Sequence, residues 1–115
     1  MTGSELRAGR VALNQSLFRE ANEAIEEKAE DVGFGGEIPF LCECPAIDCM
    51  TVVPLRFAAY EHVRSSDRWF LVHPGHEERS GRWERVAEQH RAYLIVEKLD
   101  EAGDLAEELA EQSLD

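Results

Sequence analysis

The sequence has no apolar run long enough to cross a membrane. A membrane-spanning helix needs about 18 or more consecutive apolar residues, and none occurs in these 115 residues. The polar N-terminus also lacks the apolar core of a secretory signal. The sequence therefore predicts a cytoplasmic protein that does not engage a membrane.

Basic charge is scarce. Lysine and arginine number 12 against 24 aspartates and glutamates, which gives a formal net charge of −12. Residues 32–96 are nearly balanced, with seven basic and nine acidic groups, whereas residues 97–115 carry one and eight. Nucleic acid is bound through clustered Lys and Arg and would be repelled by such a field. The expected partner is a protein, and no nucleic acid is expected.

Two common catalytic signatures are missing. The glycines at 33, 35 and 36 precede a predicted strand instead of opening a helix, so they fail the context of a nucleotide-binding loop. No serine stands in a nucleophile-elbow pattern. The sequence therefore lacks an obvious phosphate-binding or serine-hydrolase site.

Periodicity predicts an α+β fold in which a long N-terminal helix packs on a small, mostly antiparallel sheet. At 13.0 kDa and 43% apolar residues, the chain suits one domain over residues 1–115. The helix is expected over residues 5–31, with Ser4 as N-cap and the glycines after it as the stop. Its buried face is expected to hold Val11, Leu13, Leu17, Phe18, Ala21, Ala24, Ile25 and Val32. Their heptad-like spacing leaves a homodimer open beside a monomer.

Residues 38–98 are expected to form the sheet core. Strands are predicted at 38–42, 50–53 and 69–72 and in a hairpin of 83–88 and 92–98, with 93–96 central. A short helix over 55–65 should begin after Pro54 and turn Leu55, Ala58, Ala59, His62 and Val63 inward. Residues 99–115 form an acidic, helix-prone C-terminal segment whose thin apolar stripe contains Leu105, Ala106, Leu109 and Ala110.

All three cysteines lie within eight residues, in the spacing C-x-C-x4-C. On a strand, Cys42 and Cys44 share one face and Glu43 points away, while Pro45 opens a turn that returns Cys49. Structural zinc takes four N or S ligands in a tetrahedron, so one ligand is missing. His76 follows a Pro-Gly turn that can direct an imidazole back at the cysteines, and His73 competes for the same position.

Other interpretations of the cysteines stay open. Cysteine is often buried as a free thiol, whereas a disulfide plus one odd cysteine suits a reducing compartment poorly. The expected metal is Zn²⁺, with a metal-stapled hairpin as the result. A [2Fe–2S] cluster is the alternative, although the histidine lies 27 residues beyond Cys49, farther than in cluster proteins that begin C-x-C.

Two classes of function follow from the cysteine group. The first is a zinc-stabilised, non-catalytic binding or regulatory module. The second is a small metal- or thiol-dependent enzyme, hydrolytic or redox, with Glu43 or His73 as proton carrier. A hydrolytic metal needs an open coordination position, which a fourth protein ligand at His76 would close.

Five runs together resemble a family of small uncharacterised bacterial proteins. They are F-x-C-E-C-x4-C from residue 40, A-Y-E-x-V-R from residue 59, F-x-V-x-P-G-H from residue 70, E-x-V from residue 84 and Y-L-I-V-E-K from residue 93. The resemblance covers about residues 18–98, including Phe18-Arg19-Glu20-Ala21-Asn22-Glu23. The family carries glycine after the second cysteine where this chain has Pro45, which changes the turn but not the ligands. The resemblance implies that the cysteines and His76 form one unit, and it implies no activity.

Overall fold

The computed structural model describes residues 3–46, 48–78 and 81–112, without the side chains of residues 3–12 and 14. In chain order the elements are α1 (Gly3–Asp31), β1 (Ile38–Leu41), β2 (Val52–Leu55), α2 (Phe57–Val63), β3 (Trp69–Val72), β4 (Glu84–Gln89), β5 (Leu94–Lys98) and α3 (Asp100–Gln112). The α+β class and the N-terminal helix packed on antiparallel sheet are confirmed. None of these helices is both long and apolar enough to cross a bilayer.

The strands form two antiparallel sheets. One contains β1 and β2, and the other has the order β3-β5-β4, so the run around residues 94–98 is central as predicted. The backbone N–H of Glu43 donates to the carbonyl of Leu71 (2.6 Å) just beyond β1 and links the two sheets. The hydrogen bonding between the two sheets does not continue along β1. The Asn22 side chain instead occupies both the N–H and the C=O of Leu41.

Two prolines face each other across the small sheet. Pro39 is paired with Pro54, although the sequence predicted that Pro54 would end the strand and open a helix. Cys42 N–H donates to the carbonyl of Thr51. Because hydrogen-bonded and non-bonded pairs alternate in an antiparallel ladder, the proline pair falls at a non-bonded position. Neither proline therefore removes a ladder bond, and β2 continues to Leu55.

Helix α2 is shorter and turned differently from the prediction. It covers Phe57–Val63, and its buried residues are Tyr60 and Val63, whereas Ala58 and His62 are exposed. The Tyr60 ring stacks on Phe40 at a centroid distance of 4.2 Å and places the aromatic side inward. This contact crosses from α2 to β1 and forms part of the central core.

The buried face of α1 differs most from the prediction. Leu13 and Leu17 are about half exposed (49% and 48%), Ala24 and Val32 are exposed, and Ala21 and Ile25 are half-buried. Phe18 is buried as expected, whereas the Val11 side chain lies outside the described residues. Burial instead falls on polar side chains, namely Gln15, Ser16, Arg19 and Asn22.

The ends of α1 are partly as predicted. The helix begins at Gly3, so Ser4 lies inside the first turn and does not mark the boundary. Its C-terminal end follows the glycine rule. Gly33 adopts φ +66°, and the N–H groups of Gly33 and Phe34 return to carbonyls of the last turn.

The acidic C-terminal segment forms α3, which packs against α1. Its buried residues are small, with Ala102 and Ala106 fully covered. Arg68 fixes the outer side of the helix through Asp104 (2.7 Å) and Glu107 (2.6 Å). Residues 113–115 of the predicted segment lie outside the described residues.

Candidate metal centre

Three cysteines and one histidine come together at the ends of the two sheets. The ligand atoms of Cys42, Cys44, Cys49 and His76 all lie within 4.8 Å of one another. His76 Nδ1 is 3.6 Å from Cys42 Sγ and 3.6 Å from Cys49 Sγ. With Zn–S of about 2.3 Å and Zn–N of about 2.0–2.1 Å, a tetrahedral ion separates S from N by roughly 3.6 Å. The spacing therefore fits one metal ion.

Local turns bring the ligands to this point. Cys42 and Cys44 follow β1 directly, and a turn after Pro45 returns Cys49, whose N–H donates to the carbonyl of Ala46 (3.0 Å). The fourth residue comes from the β3–β4 connection, where His76 N–H donates to the carbonyl of His73 (3.0 Å). This turn requires glycine at position 75, because its φ is +93°.

The structure separates the two histidines that compete in the sequence. His76 is half-buried and directs Nδ1 at the sulfurs. His73 is exposed, and its ring Nδ1 lies 2.9 Å from the carbonyl oxygen of Pro74. The main chain of His73 still contributes, because its N–H donates to Cys42 Sγ at 3.2 Å. A backbone donor of this kind stabilises a thiolate, and residue spacing alone does not predict it.

The sulfurs are unequally covered. Cys42 and Cys44 are buried, whereas Cys49 is half-buried. Cys44, Cys49 and His76 line an open cleft of about 480 Å³ that is bordered by Asp48 and Met50. A cation can reach the site from this side without any rearrangement of the core.

The donors are chemically suited to a soft cation. A hydrogen bond from Cys42 lowers the pKa of the Cys44 thiol to about 5. The same bond, followed by burial, raises the pKa of Cys42. This hydrogen bond favours the thiolate form of Cys44, the form in which cysteine binds a metal. Three sulfurs and an imidazole select zinc, copper(I) or iron over magnesium and calcium, which prefer oxygen ligands.

Glu43 lies between the first two cysteines, but its side chain points away from them. Its carboxylate is fully buried. Oε1 accepts from the N–H of Leu71 (2.9 Å), and Oε2 accepts from Asn22 Nδ2 (2.9 Å) and from the Tyr60 hydroxyl. As expected from strand alternation, Glu43 points away from the cysteines. The three donors occupy it, so its geometry does not favour a general base at a metal-bound water.

The sequence did not predict the buried polar side chains that surround residues 41–43 and the start of β3. Gln15, Arg19 and Asn22 sit on α1, which was assigned an apolar buried face, and Tyr60 sits on α2. The available signal was the spacing of 15, 19 and 22, which is i, i+4, i+7 and places the three on one face. Without a known partner, such a polar row is indistinguishable from a solvated face.

No family model, no characterised protein and no solved structure matches this chain. The resemblance to small uncharacterised bacterial proteins therefore stays a prediction. The function has to be argued from the chemistry and geometry of the site.

Proposed function

We propose that the protein is a zinc-stabilised, non-catalytic binding or regulatory module. One Zn²⁺ is held by Cys42, Cys44, Cys49 and His76. The convergence of four S and N ligand atoms within 4.8 Å carries this proposal. The four side chains would complete a tetrahedral ligand set around the ion and would leave no position for a reacting water.

The proposed metal has a structural role. Three ligands belong to the β1–β2 connection and the fourth to the β3–β4 connection, so the ion joins the small sheet to the large one. A chain of 115 residues has a modest core, and a metal cross-link adds folding free energy directly.

The compactness of the ligand set supports zinc over a [2Fe–2S] cluster. In a cluster the four ligands divide between two irons on opposite sides of the sulfide bridge, so ligands of different irons lie farther apart. Here every ligand atom lies within 4.8 Å of every other. A single ion accounts for this spacing without movement of the backbone.

A protein is the partner we propose, in the cytoplasm. The net charge of −12 opposes nucleic acid, and the cysteines are unbridged, which suits a reducing compartment. The module would present its surface to this partner while the metal holds the two sheets together.

A thiol-dependent enzyme is the second candidate, and the open cleft favours it. Cys44 and Cys49 line that cleft, so a small substrate can approach the sulfurs. A thiolate at Cys44 would be the nucleophile. This candidate uses the same residues, so the two functions are separated by what happens when His76 is removed.

Metal analysis of pure protein tests the proposal first. We expect one zinc per chain and no iron. Cobalt substitution should give the intense visible bands of a tetrahedral thiolate site, while the zinc form is colourless. Substoichiometric values for both metals would contradict a metal site and leave free thiols.

His76→Ala tests the structural role, with His73→Ala as the matched control. We expect His76→Ala to lower zinc affinity and the melting temperature strongly, because a structural ligand is lost. His73→Ala should change both little, because that residue contributes through its backbone. A folded His76→Ala protein with altered thiol reactivity would favour the enzyme instead.

A further inference from the structure

Helix α1 docks through buried polar side chains as well as through the apolar Phe18 and Ala29. Gln15, Arg19 and Asn22 are 0%, 3% and 0% exposed, whereas Leu13 and Leu17 on the same helix remain about half exposed. A surface helix ordinarily buries an apolar stripe. The attachment of α1 therefore depends in part on the groups that hold its hydrogen-bond partners in place.

Most of those partners lie next to the metal ligands. Asn22 accepts from the N–H of Leu41 (2.7 Å) and donates to its C=O (2.8 Å). Gln15 Nε2 donates to the carbonyl oxygen of Glu43 (2.9 Å). These two side chains form hydrogen bonds with the backbone of the residues on either side of Cys42, one of the proposed ligands.

The Glu43 side chain adds further hydrogen bonds between this segment and the helices. Asn22 on α1, Tyr60 on α2 and the N–H of Leu71 in β3 all donate to its carboxylate. Arg19 lies in the same region and faces the charge of Glu43. It donates to the carbonyl oxygens of Asp67 (2.7 Å) and Trp69, the two residues around the start of β3.

Residues 42–44 are thus held on both sides. Side chains alternate along extended backbone, so Cys42 and Cys44 face the metal position while Glu43 faces α1 and α2. Rotation of this segment would move the sulfurs and the carboxylate together. Outer-shell partners orient metal ligands in the same way at well-studied sites.

We propose that Glu43 is the positioning residue of the metal centre and that, through Glu43 and Asn22, metal binding and the docking of α1 are coupled. This inference rests on the proposed function. Metal loss loosens α1 from residues 41–43, and loss of the α1 contacts weakens metal binding. The two effects are linked because a coupling free energy acts equally in both directions.

Zinc affinity of Glu43→Gln and Asn22→Ala tests the first direction. Competition with a chromophoric chelator should show affinity about 10- to 100-fold weaker than in the unaltered protein, the usual range for outer-shell partners. Leu17→Ala is the control, because this half-exposed residue shares the helix and does not contact the strand through a hydrogen bond. Unchanged affinity in both variants, with the fold retained in the zinc-loaded state, would overturn the coupling.

Tyr60→Phe keeps the test decisive if Glu43→Gln fails to fold. It removes one donor to the carboxylate and retains the ring that stacks on Phe40. We expect a several-fold loss of zinc affinity and a shifted spectrum of the cobalt form. A variant with unchanged affinity and an unchanged cobalt spectrum would contradict a positioning role.

Hydrogen exchange of the unaltered protein tests the reverse direction. Removal of zinc should increase amide exchange in residues 15–31 of α1 more than in the central strand β5. Equal protection of α1 with and without zinc would show that docking is independent of the metal. Failure of the chain to bind zinc at all would instead refute the proposed function, and metal stoichiometry identifies that case separately.

Discussion

The protein buries two carboxylates in different ways. Glu43 is 0% exposed and is satisfied by an amide, a phenol and a backbone N–H. Glu84 is 2% exposed and is paired with Lys98, which is itself 0% exposed. Neutral groups donate the hydrogen bonds to the Glu43 carboxylate, whereas Glu84 combines a buried cation with the backbone N–H of Glu78 (2.6 Å) and the Gln15 amide (3.5 Å). The first should tolerate loss of one partner better than the second.

The largest effect is expected from Lys98→Met. The substitution leaves Glu84 buried without its cation, and breaking a buried pair in this way costs about 3–5 kcal/mol of unfolding free energy. Denaturant titration in the presence of excess zinc measures this cost. The double variant Lys98→Met/Glu84→Gln should recover much of it, because no uncompensated charge remains.

Arg85→Met is the control for that experiment. Arg85 pairs with Glu97 at 2.8 Å, but its side chain is mostly exposed. Exposed pairs contribute about 0–1 kcal/mol. A loss from Arg85→Met as large as that from Lys98→Met would show that burial does not distinguish the two ion pairs.

Loss of one donor to Glu43 should have a smaller effect. Tyr60→Phe removes the hydroxyl, while Asn22 and Leu71 continue to donate. We expect a loss of about 1–3 kcal/mol in unfolding free energy with zinc saturating, the range for an imperfectly satisfied buried group. A cost equal to that of Lys98→Met would remove the contrast between the two carboxylates.

Gln15 contacts the backbone of Glu43 and the carboxylate of Glu84. Its Nε2 lies 2.9 Å from the carbonyl oxygen of Glu43 and 3.5 Å from Glu84 Oε1. We expect Gln15→Leu to cost about 1 kcal/mol. In a double-mutant cycle it should be non-additive with the Lys98→Met/Glu84→Gln pair, because the amide and these residues share one network. Strict additivity would mean that Gln15 does not belong to the Glu84–Lys98 network.

The smallest effect concerns a third carboxylate, Glu26. Burial, followed by the hydrogen bond and charge of Glu61, raises the pKa of Glu26 to about 7. A carboxyl whose pKa is raised on folding binds its proton more tightly in the native state, so stability falls as pH rises from about 4.5 to about 7. Glu26→Gln should flatten this decline and stabilise modestly at pH 8. The exposed neighbour variant Glu27→Gln is the matched control for the change of charge on this helix.

The grouping of the three cysteines with a histidine was predictable because its pattern is local and specific. Three cysteines within eight residues restrict the sulfurs to one turn, and only two nearby histidines compete for the fourth place. The choice between His73 and His76 needed coordinates, since both flank the same Pro-Gly turn. The central strand was also predictable, because the run Leu94-Ile95-Val96 is apolar on both faces.

The docking face of α1 was not predictable by the same means. Hydrophobic periodicity assumes that apolar residues face the core. Leu13 and Leu17 do not follow this assumption, because the polar side chains on the same helix form hydrogen bonds with partners in the interior. Those partners are backbone groups near residues 41–43 and 67–69, which a one-dimensional pattern does not show. The prediction that Pro54 ends the strand was also wrong. Pro54 is tolerated in β2 because of its register with Pro39, which the sequence alone does not show.

The facing prolines also affect whether a further strand can add to the edges of the small sheet. In a free strand edge, outward N–H and C=O groups are a template for strands of other molecules. Asn22 occupies these groups at Leu41 on the β1 side, and Pro54 has no N–H to offer on the β2 side. An incoming strand would therefore meet an amide already bonded on one edge and a missing donor on the other. Both edges of the hairpin that carries the cysteines are therefore poor templates for the addition of a further strand.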